Sequence, residues 1–558
     1  MATTLLGSEC KFAIHIPARK NSTPDIHLVK ETLHYSDGTT KPNIRFVKDF
    51  KRSVYIANKT KQNHQQKKEY EQLDNLLTTS VTQSELRNEV AKLLGKSWSN
   101  DSLRKLNSSP YIYGTDITST SLIKHAYQTK YPDLNSKYSV ATFDIETDVI
   151  NGTRSIILAT IAFEDKVFTA VLKDFIRGFS SLQDRFQSAV TKYIGEYTTK
   201  YNMKPELYVA EDVVELIRAV FDKAHQWKPD LLAIWNIDYD IPFVLRVLEE
   251  NKVDPKSILC DPSVPQELRI CKYKQGPKKK VTASGKVIPI NPAGQWHTLF
   301  LTSSFYVIDA MCVYKQLRLN EQEQPSYSLD AILNKELGIR KLKFEEANQY
   351  HQLKWHQVMQ SEYKIEYMVY NIFDCVSMLE LDNKTRDLSY TLGSFAATTD
   401  FSNFKSQPRR ITDALHFFLL ERGYVLASMG GTSFGEEEEE EVDETLGLSG
   451  WVVTLPAHLM VPGLPYIAED PTMCTNIRCF VFDSDAVAAY PTATSVANVS
   501  KGTTKRELID VSGIDGFTFR MQNLNLLVGP VNAIEYSTTM FNMKKPDELL
   551  KSFQASLN

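Results

Sequence analysis

Apolar and polar residues alternate along the chain in patterns that predict both strands and amphipathic helices. In the first 60 residues, short apolar runs such as 11–16 and 44–47 are separated by polar turns, which indicates a small β-rich module. Two further β-branched runs, at 155–163 and 167–172, flank three polar residues and predict a hairpin. These two runs indicate that sheet structure is also present in this later part of the chain.

Helical spacing marks the segments between and after these strands. Residues 212–225 carry apolar side chains on one helical face, and a short buried strand is predicted directly after them at 231–235. Further helices are predicted from about 361 to 388 and from 408 to 423. The alternation of strand, helix and strand predicts an α/β layer in the middle of the chain.

Length and composition narrow the class of protein. The 558 residues predict three or four domains, and 42% hydrophobic with 24% charged residues is ordinary for a globular protein. The sequence has no apolar run long enough to span a membrane and no signal-peptide pattern at its start. A formal net charge of -4 means that any nucleic-acid surface must be a local basic patch. The seven scattered cysteines lack Cys-x-x-Cys spacing and are expected to be free thiols.

Two carboxylates lie one residue apart at the end of a predicted strand. Asp144 and Glu146 follow the strand-like run 138–143, and residues two apart in a strand point to the same face. Their side chains can therefore aim at one point, as a divalent metal site requires. Taken alone, the pair is more typical of a solvated strand end.

A third carboxylate follows the predicted strand at 231–235. In the run Trp235-Asn236-Ile237-Asp238-Tyr239-Asp240-Ile241-Pro242, the proline suits the first turn of a helix, which places Asp240 at a strand-to-helix junction. Such a junction often carries a site residue. The alternative is that Asp240 only caps the helix.

A fourth carboxylate and a basic segment complete the candidate chemistry. Tyr370 and Asp374 are four residues apart in a predicted helix and share a face, although such a pair is often structural. The segment 269–297 is turn-rich and basic, with Lys278, Lys279 and Lys280 in a row. It is either a solvated loop or a contact for phosphates.

The three acidic elements occur in the order Asp-x-Glu, Asn-x-x-Tyr-Asp and Tyr-x-x-x-Asp. This order and spacing resemble the three exonuclease motifs of family B DNA polymerases, and more broadly those of DEDD-type 3′–5′ exonucleases. Further similarity to the T-even-like phage members of the family lies in Trp235-Asn236-Ile237, Tyr370-Asn371-Ile372-Phe373-Asp374 and Ile411-Thr412-Asp413-Ala414. The resemblance extends from about residue 100 to the end of the chain.

The resemblance implies a two-metal site for Mg²⁺, with Mn²⁺ as the alternative ion, held by Asp144, Glu146, Asp240 and Asp374. Close carboxylates repel one another, so raised pKa values are expected until cations bind. Tyr370 would orient the attacking water. The second motif is one residue shorter than in the nearest phage relatives, so Asp238 stays an alternative to Asp240. DNA contacts are expected from Asn236, Lys278, Lys279, Lys280, Gly430 and Gly431, the two glycines resembling the pair that links the exonuclease and polymerase halves.

A later segment resembles the first catalytic motif of the polymerase palm. Asp485 lies five residues before Tyr490-Pro491 and would hold metal for nucleotidyl transfer. Tyr490 would stack under the incoming sugar, and the backbone amides of Ala488 and Ala489, which replace the usual Ser-Leu, would bind the triphosphate. The fingers motif Lys-x-x-x-Asn-Ser-x-Tyr-Gly and the second palm motif Asp-Thr-Asp do not occur. This chain alone is therefore not expected to polymerise.

The expected fold class is an α/β and α+β multidomain chain. Its parts are a β-rich N-terminal domain at 1–135 that returns at about 389–425, an RNase H-like DEDD exonuclease domain with a mixed central sheet at 136–388, and the start of a palm at 426–558 with an acidic loop near 436–444.

The first hypothesis for function is the N-terminal portion of a family B DNA polymerase of bacteriophage type, with a 3′–5′ proofreading exonuclease. The expected partners are DNA primer-template, single-stranded DNA, dNTP, a separate C-terminal polymerase half and a sliding clamp, in the cytoplasm of the bacterial host. Two alternatives stay open. One is a free-standing 3′–5′ exonuclease, and the other is a non-catalytic nucleic-acid-binding subunit.

Overall fold

The structure is a computed structural model that describes residues 4–429, except 20–22, 66, 154 and 282–285. Beyond residue 429 it describes only Val496 and two short strands, Leu527–Val528 and Val531–Asn532. The chain divides into two compact units, one up to Glu440 and one from Glu441 onward. The predicted acidic loop at 436–444 therefore lies outside the described residues.

The first 135 residues are rich in β-structure. Strand β1 pairs with β2 and β2 with β3, all antiparallel, and β4 lies between β6 and β7 in a second sheet. The elements are β1 Leu5–Ile16, β2 Ile26–Tyr35, β3 Thr40–Lys48, β4 Arg52–Ala57, β5 Tyr70–Gln72, β6 Leu76–Val81, α1 Leu86–Leu93, α2 Leu103–Asn107, β7 Ile112–Tyr113 and α3 Ser119–Lys130.

A six-stranded mixed sheet forms the centre of the next part of the chain. Its order is β11-β10-β9-β8-β12-β17, where β8, β9 and β10 are antiparallel neighbours and β12 and β17 run parallel to β8. The elements are β8 Val140–Thr147, β9 Ile156–Phe163, β10 Lys166–Leu172, α4 Leu182–Lys200, β11 Lys204–Ala210, α5 Val213–Trp227, β12 Leu231–Ile234, α6 Ile237–Glu250, α7 Lys256–Leu259, β13 Cys271–Lys274, β14 Lys279–Val281, β15 Val287–Pro289, β16 Thr298–Leu301 and β17 Tyr306–Asp309.

Local sequence explains several of these elements. The predicted hairpin is confirmed: β9 and β10 pair around Glu164, which has a φ of 53°. The predicted helix α5 is also confirmed, and Asp212 caps it by accepting a hydrogen bond from the Glu215 amide. Its apolar face, including Leu216 and Val220, is buried against the sheet. The architecture is therefore a mixed α/β fold with a central mixed sheet.

Helices follow the sheet, and one of them, α11 (Lys364–Thr385), packs across β8 and β9. They are α8 Ala310–Leu317, α9 Leu329–Leu337, α10 Gln352–Glu362, α11 Lys364–Thr385, α12 Leu392–Ala396 and α13 Gln407–Leu420, after which β18, Tyr424–Leu426, pairs with β5. The helix predicted from 361 begins instead at Lys364, because Tyr363 has a non-helical backbone (φ -121°, ψ 48°) that separates α10 from α11. No helix among the described residues is long and apolar enough to cross a membrane. The five cysteines described are free, as expected.

The N-terminal sheet and the central sheet share one apolar core. Side chains of β1 and β2 pack with side chains of β8, β12 and β17 in the cluster that contains Phe12, Ile14, Ile26, Leu28, Val140, Leu231, Ala233 and Ile308.

A buried cation lies at the same junction. Lys30 of β2 donates to the carbonyl of Lys228 (2.7 Å) and lies 3.6 Å from the Asp230 carboxylate. Burial lowers the pKa of Lys30 to about 8, and Asp230 opposes that shift.

We expect Asp230→Ala to lower the free energy of unfolding by about 3–5 kcal/mol, because it leaves a buried ammonium without its counter-charge. Urea unfolding measures this value. The double variant with Lys30→Met should recover part of the loss, and the exposed Asp222→Ala should change stability by less than about 0.5 kcal/mol. A loss for Asp230→Ala no larger than that of Asp222→Ala would contradict the prediction.

Candidate active site

The C-terminal ends of β8 and β12 meet at one edge of the central sheet. In the strand order of the sheet, β9 and β10 lie to one side of β8, whereas β12 and β17 lie to its other side. Crevices at such points of strand-order reversal are common ligand sites. Asp144 and Glu146 lie on β8 at this edge, and their spacing of two places both on one face.

Helix α11 packs across β8 and β9 and brings a third carboxylate to this point. Asp144, Glu146 and Asp374 each offer a carboxylate oxygen within 4.8 Å of the others, and we call these three residues the carboxylate cluster. Glu146 is 8% exposed and Asp374 is 2% exposed, so water screens their charges poorly. The sequence placed these residues on separate elements, and the fold brings them together.

Asp240 lies beside the carboxylate cluster, inside helix α6. The Ile145 amide, between the two acidic residues of β8, donates to Asp240 Oδ1 over 3.2 Å. Asp240 lies in the first turn of this helix, close to the end of β12, but α6 already begins at Ile237 and so starts earlier than Pro242 predicted. The reason is a cap from another element: Asp309, at the end of β17, accepts a hydrogen bond from the Ile237 amide (3.0 Å).

Asp238 occupies a different environment from Asp240. It is partly exposed and accepts hydrogen bonds from the Tyr273 hydroxyl (2.9 Å) and the Gln275 amide (3.1 Å). Lys278 forms an ion pair with it at 2.8 Å. These donors lower the pKa of Asp238 against the effect of burial. Asp238 therefore ties helix α6 to the basic segment, whereas Asp240 is buried beside the strand.

Burial is the largest cause of the pKa shifts at the site. It raises the pKa of Asp240 to about 8 and that of Glu146 to about 7. The pKa of Asp144 is raised well above its usual range, first by burial and then by the charges of Asp240 and Asp374. Burial also raises the pKa of Asp374, and Lys341 opposes that rise. The expected rise in pKa is therefore found, but its first cause is burial, and repulsion from other site carboxylates is a further cause only for Asp144, Glu146 and Asp240.

Each member of the carboxylate cluster accepts a hydrogen bond from one side chain that the sequence analysis did not select. The pairs are Asn371 Nδ2 with Asp144 Oδ2 (2.6 Å), Lys341 Nζ with Asp374 Oδ2 (2.5 Å) and Tyr367 Oη with Glu146 Oε2 (2.5 Å). Asn371 and Tyr367 lie on α11 within one turn of Tyr370 or Asp374, so helical spacing could have found them. Lys341 lies in a basic turn after α9 with no periodic signal.

The donor atoms present fit a divalent cation with a preference for oxygen ligands. Asp374 Oδ1 is buried and has no hydrogen-bond partner among the described residues. A buried carboxylate oxygen in that state is costly unless something binds it. Three convergent carboxylates are the ligand set that Mg²⁺ and Mn²⁺ favour. Burial lowers the pKa of Lys341, but the neighbouring carboxylates raise it, and the net pKa lies well above the usual range. Lys341 is therefore an ammonium and adds one positive charge to the site.

The other predicted site residues are placed as follows. Tyr370 is 7% exposed, and its hydroxyl accepts a hydrogen bond from Lys341 over 3.2 Å. Asn236 directly precedes α6. Lys279 and Lys280 are exposed on β14, which pairs with β15. The structure does not describe Asp485, Tyr490, Ala488, Ala489, Gly430 or Gly431.

Comparisons with known proteins match the part of the chain that carries most of these residues. The sequence model of the exonuclease domain of family B DNA polymerases matches residues 102–332. The chain thus contains a family B DNA polymerase exonuclease region. The match includes Asp144, Glu146 and Asp240 and ends before Asp374.

A curated relative of the chain is a phage enzyme. The chain is similar to a DNA-directed DNA polymerase of Escherichia phage RB69, with 24% identity over 315 residues. That similarity covers 52% of this chain and 30% of the phage protein, so the chain matches less than a third of its relative.

We expect Asp240→Asn to stabilise the metal-free protein at pH 8. The pKa of Asp240 is about 8 in the folded protein, above its ordinary value of 3.8. Protonated Asp240 therefore stabilises the fold. This contribution is fully present below about pH 4 and is lost as the pH rises to 8. Asparagine stays neutral and can still accept from the Ile145 amide. The gain should be about 1–3 kcal/mol at pH 8 in EDTA and smaller at pH 5.5.

Thermal unfolding at both pH values measures this effect, with the exposed Asp222→Asn as the matched control. A gain that is the same at pH 5.5 and pH 8 would show that ionisation of Asp240 is not its cause.

Proposed function

We propose that this chain is the N-terminal part of a family B DNA polymerase and that its described part is a 3′–5′ proofreading exonuclease. The observation that carries the proposal is the carboxylate cluster at the C-terminal edge of β8, of which Asp144 and Glu146 lie inside the region that matches the family B exonuclease domain. Buried, convergent carboxylates without an equal number of cations are costly for a purely structural role. They are useful where divalent cations complete the site.

In this proposal Asp144, Glu146 and Asp374 are metal ligands, and Asp240 supports the second ion. Bound Mg²⁺ or Mn²⁺ would stabilise charge on the attacking and leaving oxygens of a phosphodiester. The protein supplies the geometry: the register of β8 fixes Asp144 and Glu146, helix α11 fixes Asp374, and helix α6 fixes Asp240. Side chains on three elements thus hold the oxygens before substrate arrives.

Tyr370 is proposed to orient the attacking water. Lys341 is proposed to fix the direction of the Tyr370 hydroxyl proton. A lysine ammonium only donates hydrogen bonds, so the Tyr370 hydroxyl must accept from it, and its own proton points elsewhere. That proton is free to hold a water against the carboxylate cluster. Burial and the charge of Asp374 raise the pKa of Tyr370, so the hydroxyl keeps its proton at neutral pH.

Single-stranded DNA is the proposed substrate. Tyr239, between Asp238 and Asp240, is 44% exposed, and its hydroxyl lies 3.1 Å from the Thr147 hydroxyl. An exposed aromatic ring beside the carboxylates is suited to stacking on a terminal base. The exposed Lys279 and Lys280, with Lys278 and Asn236, are proposed to contact the DNA.

The remaining part of the proposal concerns synthesis. Asp485 and Tyr490, with Ala488 and Ala489, are proposed to form the first palm motif for dNTP, and Gly430-Gly431 to link it to the exonuclease. Because the fingers motif and Asp-Thr-Asp do not occur in this sequence, we propose that they are supplied either by a separate polypeptide or by a part of the polymerase that this sequence does not include. The similarity to a phage enzyme supports replication in a bacterial host, with a sliding clamp as a further partner.

The double variant Asp144→Ala, Glu146→Ala should reduce 3′–5′ nuclease activity by at least about 10³-fold, because it removes two of three metal ligands. The assay follows shortening of 5′-labelled single-stranded DNA with and without Mg²⁺, and circular dichroism checks the fold. Asp240→Ala should lose activity, whereas Asp238→Ala should retain most of it. Undiminished activity in the double variant would overturn the nuclease proposal.

Primer extension tests the split polymerase. A mixture of this chain with a polypeptide that carries the missing motifs should extend a primer, and Asp485→Ala in this chain should abolish extension without changing nuclease activity. If no such partner restores extension while the chain alone degrades DNA, the free-standing exonuclease is the better assignment.

A further inference from the structure

Helix α10 lies against α11 beside the carboxylate cluster and has no part in the proposed chemistry. Three of its side chains face the site: Trp355 packs 4.9 Å from the Tyr370 ring, while His356 and Gln360 both reach the Tyr367 hydroxyl. That hydroxyl in turn lies 2.5 Å from Glu146 Oε2. A continuous hydrogen-bonded path therefore joins α10 to one of the proposed metal ligands.

The orientation of the Gln360 side chain is fixed by the backbone after β8. Its Oε1 accepts a hydrogen bond from the Val149 amide (3.1 Å), and its Nε2 donates to the Thr147 carbonyl (2.8 Å). An amide carries its donor and acceptor on different atoms, so these two contacts leave one orientation. Gln360 Nε2 can therefore only donate to the Tyr367 hydroxyl, over 3.2 Å.

The direction of the Tyr367 proton follows from its partners. An ionised Glu146 only accepts hydrogen bonds, so the single hydroxyl proton must point to Glu146 Oε2. His356 Nδ1, 2.9 Å from the same oxygen, then donates as well. The hydroxyl oxygen accepts two hydrogen bonds and donates one, which uses its full capacity and leaves Glu146 Oε1 for a cation.

We propose that His356, Gln360 and Tyr367 are positioning residues that hold Glu146 in the orientation in which it binds a divalent cation. This inference rests on the proposed function and goes beyond it, because none of the three residues would touch metal or DNA. Hydrogen-bond partners behind a metal ligand commonly change metal affinity by about 10–100-fold. Gln360 has a second effect, since it also anchors residues 147 and 149, where β8 ends.

Two variants of the full chain test the proposal. Tyr367→Phe removes the hydroxyl but keeps the ring, which lies parallel to Tyr370 at 6.0 Å. Gln360→Glu has the same shape as the native residue but replaces the donor atom with an acceptor, which draws the Tyr367 proton away from Glu146. Gln357→Glu, on the same helix, is the matched control for added charge.

The measurement is Mn²⁺ binding by electron paramagnetic resonance, which needs no DNA. We expect the dissociation constant to rise about tenfold in Tyr367→Phe and in Gln360→Glu and to stay unchanged in Gln357→Glu. In parallel nuclease assays, the half-saturating Mg²⁺ concentration should rise by a similar factor, whereas kcat at saturating Mg²⁺ and KM for DNA stay near wild type. A purely structural role would lower the melting temperature without moving the metal affinity.

The outcomes separate this inference from the proposed function. If wild type binds no Mn²⁺, or Asp144→Ala binds it as well as wild type, the metal-dependent nuclease itself is wrong. If wild type binds Mn²⁺ and both α10–α11 variants bind it equally well, the positioning role is wrong. Should Gln360→Glu fail to fold, Tyr367→Phe decides the question alone.

Discussion

Repulsion among buried carboxylates is the constraint on which the rest of this structure depends. Asp144, Glu146 and Asp374 hold oxygens within 4.8 Å of one another where burial raises the pKa of each. No short segment would adopt this arrangement by itself. It exists because the register of β8 fixes two of the side chains and helix α11 is held firmly across the sheet by an apolar core that includes Tyr367, Val369 and Phe373.

The protein reduces this repulsion in a specific way. One neutral amide, one neutral hydroxyl and one ammonium each bind a different carboxylate, and the buried Asp374 Oδ1 has no partner among the described residues. Lys341 supplies one positive charge, which is less than the cluster would need when fully ionised. The remaining negative charge would favour capture of cations, so the same interactions that allow the protein to fold would also prepare the proposed metal site.

Local periodicity predicted those parts of the site that lie within one element. A period of two linked Asp144 with Glu146, and a spacing of four linked Tyr370 with Asp374. The start of α6 was predicted too late because its cap comes from Asp309, 72 residues further along the chain. The sequence does not mark Lys341 for the same reason, because its contact with Asp374 exists only in the tertiary fold. Strand β5 likewise pairs with β18 more than 300 residues away, a contact that no local pattern encodes.

The shared core of the N-terminal and central sheets has a practical consequence for dissecting the chain. Apolar side chains of β1 and β2 pack against β8, β12 and β17, and the Tyr138 hydroxyl donates to the carbonyl of Lys11. A nuclease fragment excised at residue 136 would expose that surface to solvent and leave Asp230 without its lysine. Excision should therefore keep the first two strands, even though they lie more than a hundred residues before the first acidic motif.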